Sequence, residues 1–89
     1  MHELSLIADL IRKVIAIAHE EGATKVLGAT ITLGALCHLS APHLRDHFTH
    51  AARGTIAEGA HLEITLLTDV HDPRAQEIVL ERVEVHVAA

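Results

Sequence analysis

The chain has one cysteine, one phenylalanine, and neither tryptophan nor tyrosine. A lone Cys37 excludes an intrachain disulfide and any cysteine-based zinc site within one chain. Nucleic-acid binders need a basic patch or aromatic side chains that stack on bases. This chain carries a formal net charge of −5 and Phe48 as its sole aromatic, so no nucleic-acid partner is expected. No apolar run approaches the roughly 20 residues of a membrane span, and no charged-then-apolar leader precedes the first periodic segment. The expectation is a cytoplasmic protein with no membrane contact. No P-loop, Ser/His/Asp set or paired-carboxylate motif appears. No catalytic residue is assigned, and the protein is not expected to be an enzyme.

What is present is a core and an excess of histidine. The chain has 89 residues, 49% of them hydrophobic. A chain of this size buries roughly 60–65% of its unfolded surface, enough for one small domain and inconsistent with disorder. Nine histidines lie at positions 2, 19, 38, 43, 47, 50, 61, 71 and 86. Their charge changes between about pH 5 and 7, so the net charge rises toward zero as pH falls.

Apolar spacing gives the elements. Leu4, Ile7, Leu10, Ile11, Val14, Ile15 and Ala18 recur with helical period, predicting an amphipathic helix from Leu4 to about Glu21. Gly22 follows where a left-handed cap is common. Ser5 is one candidate cap, and Glu3 alternatively sits in the first turn. Lys25 to Leu36 alternates as a strand, with Ala29, Ile31, Leu33 and Ala35 on one face. Gly28 and Gly34 mark a bulge or a close approach. Ser40 opens a second helix with Pro42 in its first turn. Leu44, Phe48 and Ala51 form its core stripe, and Gly54 ends it. His61 to Leu67 alternates with Leu62, Ile64 and Leu66 inward. Asp72-Pro73 signals a turn. Ile78 to Val87 is a third strand, with Val79, Val83, Val85 and Val87 brought into phase by a bulge near Leu80 to Arg82. The order helix, strand, helix, strand, strand implies an α+β two-layer sandwich, two helices on a small three-stranded sheet. The last two strands are joined by a connection of roughly hairpin length. Exposed sheet edges invite pairing, so a homodimer is expected.

Two groups carry metal chemistry. The sequence opens MHE. A terminal amine, the next amide nitrogen and the His2 imidazole can form fused chelate rings in one plane, a nitrogen-rich set suited to Ni(II) or Cu(II). Glu3 or another histidine supplies a further position. The residues alone leave open whether this is a chelate or a solvated polar terminus. His43, His47 and His50 follow at i, i+4 and i+7 of the second helix, within an arc of roughly 60°. They form either an accessory metal stripe or a polar helix face rich in histidine. His71, in the predicted turn, is a further accessory candidate.

The wider pattern is more specific. MHELSL at the start, a helix ending EEGA, then TLGAL, ARGT, AEGAHLEI and a closing ERVEV together resemble the HypA family, over residues 1–68 and about 78–87. These are nickel metallochaperones for hydrogenase and urease maturation. The resemblance implies nickel held at Met1, His2 and Glu3, and delivery to a [NiFe]-hydrogenase large subunit with a GTPase partner of the HypB type. The family also inserts a zinc domain with two CxxC pairs between its last two strands. Here that place holds TDVHDPRAQ, so residues 1–89 read as a single nickel-binding domain with a short turn around residues 69–77 and no zinc. Two other functions remain in view. One is an assembly subunit that keeps the scaffold without metal, and the other is a metal buffer built on the helix stripe.

Overall fold

A computed structural model describes the backbone of residues 2–88 and the side chains of residues 5–88. Five elements follow the expected order: α1 His2–Glu20, β1 Lys25–Leu33, α2 Ala41–Ala52, β2 His61–Leu66 and β3 Ile78–His86. Helix α1 begins at His2, earlier than Leu4. Ser5 is therefore inside the helix rather than capping it, and Glu3 falls in the first turn. Gly22 ends the helix with φ of 72°, a left-handed conformation that costs other residues about 1–2 kcal/mol. The chain then returns through Ala23, whose N–H donates to the Ala18 carbonyl at 2.9 Å, and Thr24, whose N–H donates to the His86 carbonyl at 2.9 Å.

The sheet order is β2-β1-β3. Strand β1 pairs parallel with β2 and antiparallel with β3. The last two strands are thus not neighbours and do not form a hairpin, because their connection passes the end of the central strand. Helix α1 packs on β1, β3 and α2, while α2 packs on β2, which covers one face of the sheet. Ile7, Leu10, Ile11, Val14 and Ala18 of α1 meet Val26, Ala29, Ile31 and Leu33 of β1, with Leu44, Phe48 and Ala52 of α2 closing the core.

Four local expectations are corrected. The inward alanine of α2 is Ala52, not Ala51, since the stripe advances by four residues at each step. Leu66 is 58% exposed, because it ends an edge strand beyond the helices' cover. A bulge does interrupt β3: Thr30 faces Arg82 and Ile31 faces Leu80, which leaves Glu81 extra. That bulge puts Ile78 and Leu80 on the core side ahead of Val83 and Val85, so Val79 is out of phase with the later valines. Finally, β1 ends at Leu33 rather than Leu36. There the Gly34 N–H donates to the Glu77 carbonyl at 2.9 Å and the Leu36 N–H to the Ala75 carbonyl at 2.7 Å. A Cβ on residue 34 would collide with the carbonyl oxygens of Arg74 and Ala75, so this close approach requires glycine. Gly28 adjoins a second register shift, after Val26.

Candidate metal centre

The topology brings part of the ligand-type residues to one end. Helix α1 has 19 residues, about 28 Å at 1.5 Å per residue. Strand β1 has 9 residues, about 30 Å at 3.3 Å per residue. Joined by a short loop, the two run antiparallel, so α1 begins where β1 finishes. Parallel pairing of β1 and β2 places the start of α2 at that same end. The connection of residues 67–77 lies there too, since it leaves Leu66 and enters Ile78, the residues that flank Leu33. Cys37, His38, His43 and His71 therefore share the end of the sandwich from which α1 departs. His19, His61 and His86 belong to the opposite end.

Met1 lies outside the described residues, and so do the side chains of His2 and Glu3. What is described is the backbone, which is helical from His2 onward. The first four N–H groups of a helix have no intrahelical acceptor. The amides of His2 and Glu3 fall in this group.

His71 is exposed in a turn, and its N–H donates to Asp69 Oδ1 at 2.9 Å. The turn is fixed by its neighbour. Asp72 Oδ1 accepts from the Arg74 N–H at 2.8 Å, and the Arg74 guanidinium reaches the same carboxylate at 3.3 Å. The backbone N–H of Arg74, and then its side chain, hold the Asp72 carboxyl below the usual carboxylate range. Arg74 also approaches Glu81 at 3.7 Å, and Glu81 accepts from Thr32 Oγ1 at 2.9 Å. The extra residue of the bulge thereby ties the turn to the sheet.

Helix α2 is capped by Ser40, whose Oγ accepts from the His43 N–H at 3.2 Å. On its outer side the His43 and His47 rings stack, with centroids 5.0 Å apart and planes inclined by 16°. His43 is exposed and His47 half-buried. His50 does not join them. The ring stack among the described residues is between His43 and His47, and His50 lies a further three residues along the helix. Among the described residues, no group of three or more His, Cys, Asp or Glu side chains is placed to hold a metal. The stripe of three is therefore a stacked pair and a separate histidine, and His71 belongs to neither.

Two residues near the pair went unnoticed in the sequence. Arg45 Nη1 donates to the Leu62 carbonyl at 3.0 Å, which pins α2 to β2 and turns the guanidinium from the histidines. Asp46 lies at i+3 from His43 and i+4 before His50, so helical spacing alone puts a carboxylate beside both. No helix of the described residues is long and apolar enough to cross a membrane.

Comparison with known proteins adds three findings. The profile of a family described as hydrogenase/urease nickel incorporation, metallochaperone, hypA, matches residues 1–72. The hydrogenase maturation factor HypA of Chlorobaculum tepidum is 41% identical over 64 residues, 72% of this chain and 57% of that protein. The protein of the same name from Archaeoglobus fulgidus is 39% identical over 66 residues, 74% of this chain and 60% of its own length. The chain thus spans less than two thirds of these relatives. The solution structure of the nickel metallochaperone HypA from Helicobacter pylori superposes with a TM-score of 0.79 at 13% identity, over 97% of this chain and 98% of that one. At that identity the likeness speaks to the fold alone. The family match stops before β3, so the ERVEV similarity lies outside it, whereas the structural likeness extends over that strand.

Proposed function

Because the chain belongs to the HypA family, matched over residues 1–72, we propose that it binds Ni(II) as cargo and delivers it during maturation of a nickel metalloenzyme, a [NiFe]-hydrogenase. The ligands are the Met1 amine, the amide and imidazole of His2, and Glu3. The observation that carries this reading is the extent of the family match, which includes all three residues. The start of α1 supports it physically. The amides of His2 and Glu3 have no acceptor within the helix, so giving them to a metal breaks no helical hydrogen bond. A deprotonated, anionic amide nitrogen also suits the positive end of the helix dipole. The protein binds and transfers, and it catalyses no reaction. The partners on this reading are a HypB-like GTPase and the hydrogenase large subunit. Residues 1–89 act as one nickel-binding domain, with the turn at residues 69–77 standing where the family carries its zinc domain.

The test is calorimetric titration of untagged protein with Ni(II), above the pKa values of the amine and imidazole. One variant carries an extra residue ahead of Met1, and another is His2→Ala. Both are expected to lose the tight phase, and wild-type binding should release protons as the ligands are stripped of theirs. Unchanged affinity in both variants would sink the terminal site. The short turn at residues 69–77, where the family carries its zinc domain, favours one second reading, an assembly subunit without metal. Recovery of the same partner by wild type and His2→Ala, independent of added nickel, would support that instead.

A further inference from the structure

We propose that His43 and His47 form a second metal site, a two-imidazole chelate for a divalent first-row cation on the outer side of α2. This site is separate from the terminal one and stands whether or not that one exists. Its basis is the stacked pair, with ring centroids 5.0 Å apart and planes inclined by only 16°. Residues at i and i+4 on a helix lie one above the other, so a nitrogen from each ring can meet one ion after rotation about the side-chain bonds. The backbone need not move. His47 is half-buried, which limits the freedom it loses on binding and lowers the ordering cost. Ser40 caps the turn that bears His43, and Arg45 pins the next residues to the sheet through the Leu62 carbonyl. The two rings thus stand on a helix fixed at both levels.

The local charge agrees. Arg45, the cation nearest in sequence, is engaged with the Leu62 carbonyl. Helical spacing puts Asp46 next to His43 at i+3, a carboxylate that offsets the charge of a nearby ion without joining its ligand set. Imidazole suits zinc, copper and nickel alike, with affinity set by the general order of these ions. Two protein ligands leave the remaining positions to water, so the site exchanges its metal readily. It lies toward the end of the sandwich from which α1 departs.

The experiment uses the full chain with the terminal chelate removed by His2→Ala and a residue added before Met1. This parent is titrated with Ni(II) alone and, separately, with Zn(II) alone. It should still bind one ion per chain. His43→Ala or His47→Ala should each weaken binding by about tenfold or more, at least the penalty seen when only an outer-shell partner of a metal is lost. His50→Ala and His19→Ala should leave the titration where it was. Saturating metal should also raise the thermal midpoint of the parent but not of His43→Ala. His43 is exposed, so that variant keeps the fold even if replacing the half-buried His47 loosens the helix. Identical titrations of the parent and the His43→Ala/His47→Ala variant would overturn the proposal, as would equal weakening by His50→Ala.

Discussion

The two proposed sites, at the start of α1 and on the outer side of α2, would hold metal by opposite means. At the start of α1 the donors are consecutive along the chain: an amine, an amide and an imidazole. Their chelating geometry is covalent, and it needs a free Met1 amine more than it needs a fold. On α2 the donors are four residues apart and meet only when the helix is formed. Its geometry is conformational, held by Ser40 at one turn and Arg45 at the next. One site is therefore sensitive to what precedes it in the chain, and the other to what lies beneath it in the core.

The sharpest way to separate them is to damage the core. Phe48, next in sequence to His47, is 1% exposed, and Phe48→Ala should cost about 3–5 kcal/mol. In a small domain that is a large share of the total stability, roughly 5–15 kcal/mol. Urea titration should show a much earlier midpoint. In urea concentrations that unfold the variant but not the wild type, the variant should lose the α2 site while terminal chelation persists. Loss of both together would show that the terminal set also depends on the fold.

Next in size is Gly34→Ala. The new methyl meets the Arg74 and Ala75 carbonyls, backbone atoms that cannot step aside singly, and the expected loss is about 3 kcal/mol, the upper part of the overpacking range. It strikes the end of the sandwich where α1 begins. Amide hydrogen exchange should quicken in residues 34–37 and 72–77 before it does in α2. Uniform quickening would mean that this end is not an independent unit.

Ser40→Ala acts on α2 alone. Removing the acceptor of the His43 N–H should cost about 1 kcal/mol, fraying the first turn of the helix. Metal binding by the His43/His47 pair should weaken, and terminal binding should not. Equal effects on both sites would erase the distinction drawn between them.

The legible part of the fold is where one rule decided. The core stripe of α1 and the capped start of α2 follow from helical period and from Ser40 with Pro42. The bulge in β3 was readable because the valines fall out of phase, and Glu81 is the residue that absorbs the slip. What was not legible depended on partners. Alternation in β2 predicted Leu66 inward, but only the position of the helices decides where cover ends. The connection between the last strands looked like a hairpin because its length was compatible with one. Nothing local told β3 to pass β2 and pair with β1. At the candidate sites, spacing marked out His43, His47 and His50 as one stripe. Only the observed stacking separates a pair from a third residue, and only the fold shows Arg45 turned toward Leu62.

The smallest expected effect concerns the turn, which carries neither site. The Arg74 N–H and guanidinium depress the Asp72 pKa below its ordinary value of 3.8. A carboxyl depressed in the folded state stabilises the fold fully at pH above its unfolded pKa. That contribution fades as pH falls below about 4 and is gone once the folded carboxyl is protonated. Asp72→Asn should therefore be slightly less stable than wild type at neutral pH, and the difference should vanish in acid. Because Asp72 reaches solvent, the neutral-pH difference is small and shrinks further in high salt. Chemical denaturation of both proteins across the acid range measures it. A difference that persists unchanged into acid would mean that Asp72 serves the turn through its shape and hydrogen bonds, with its charge contributing nothing. Metal binding at α2 should stay constant throughout this substitution, since the turn and loop backbone hydrogen bonds from residues 67–77 to other parts of the chain run to Leu33, Gly34 and Leu36, with none to α2 among the described residues.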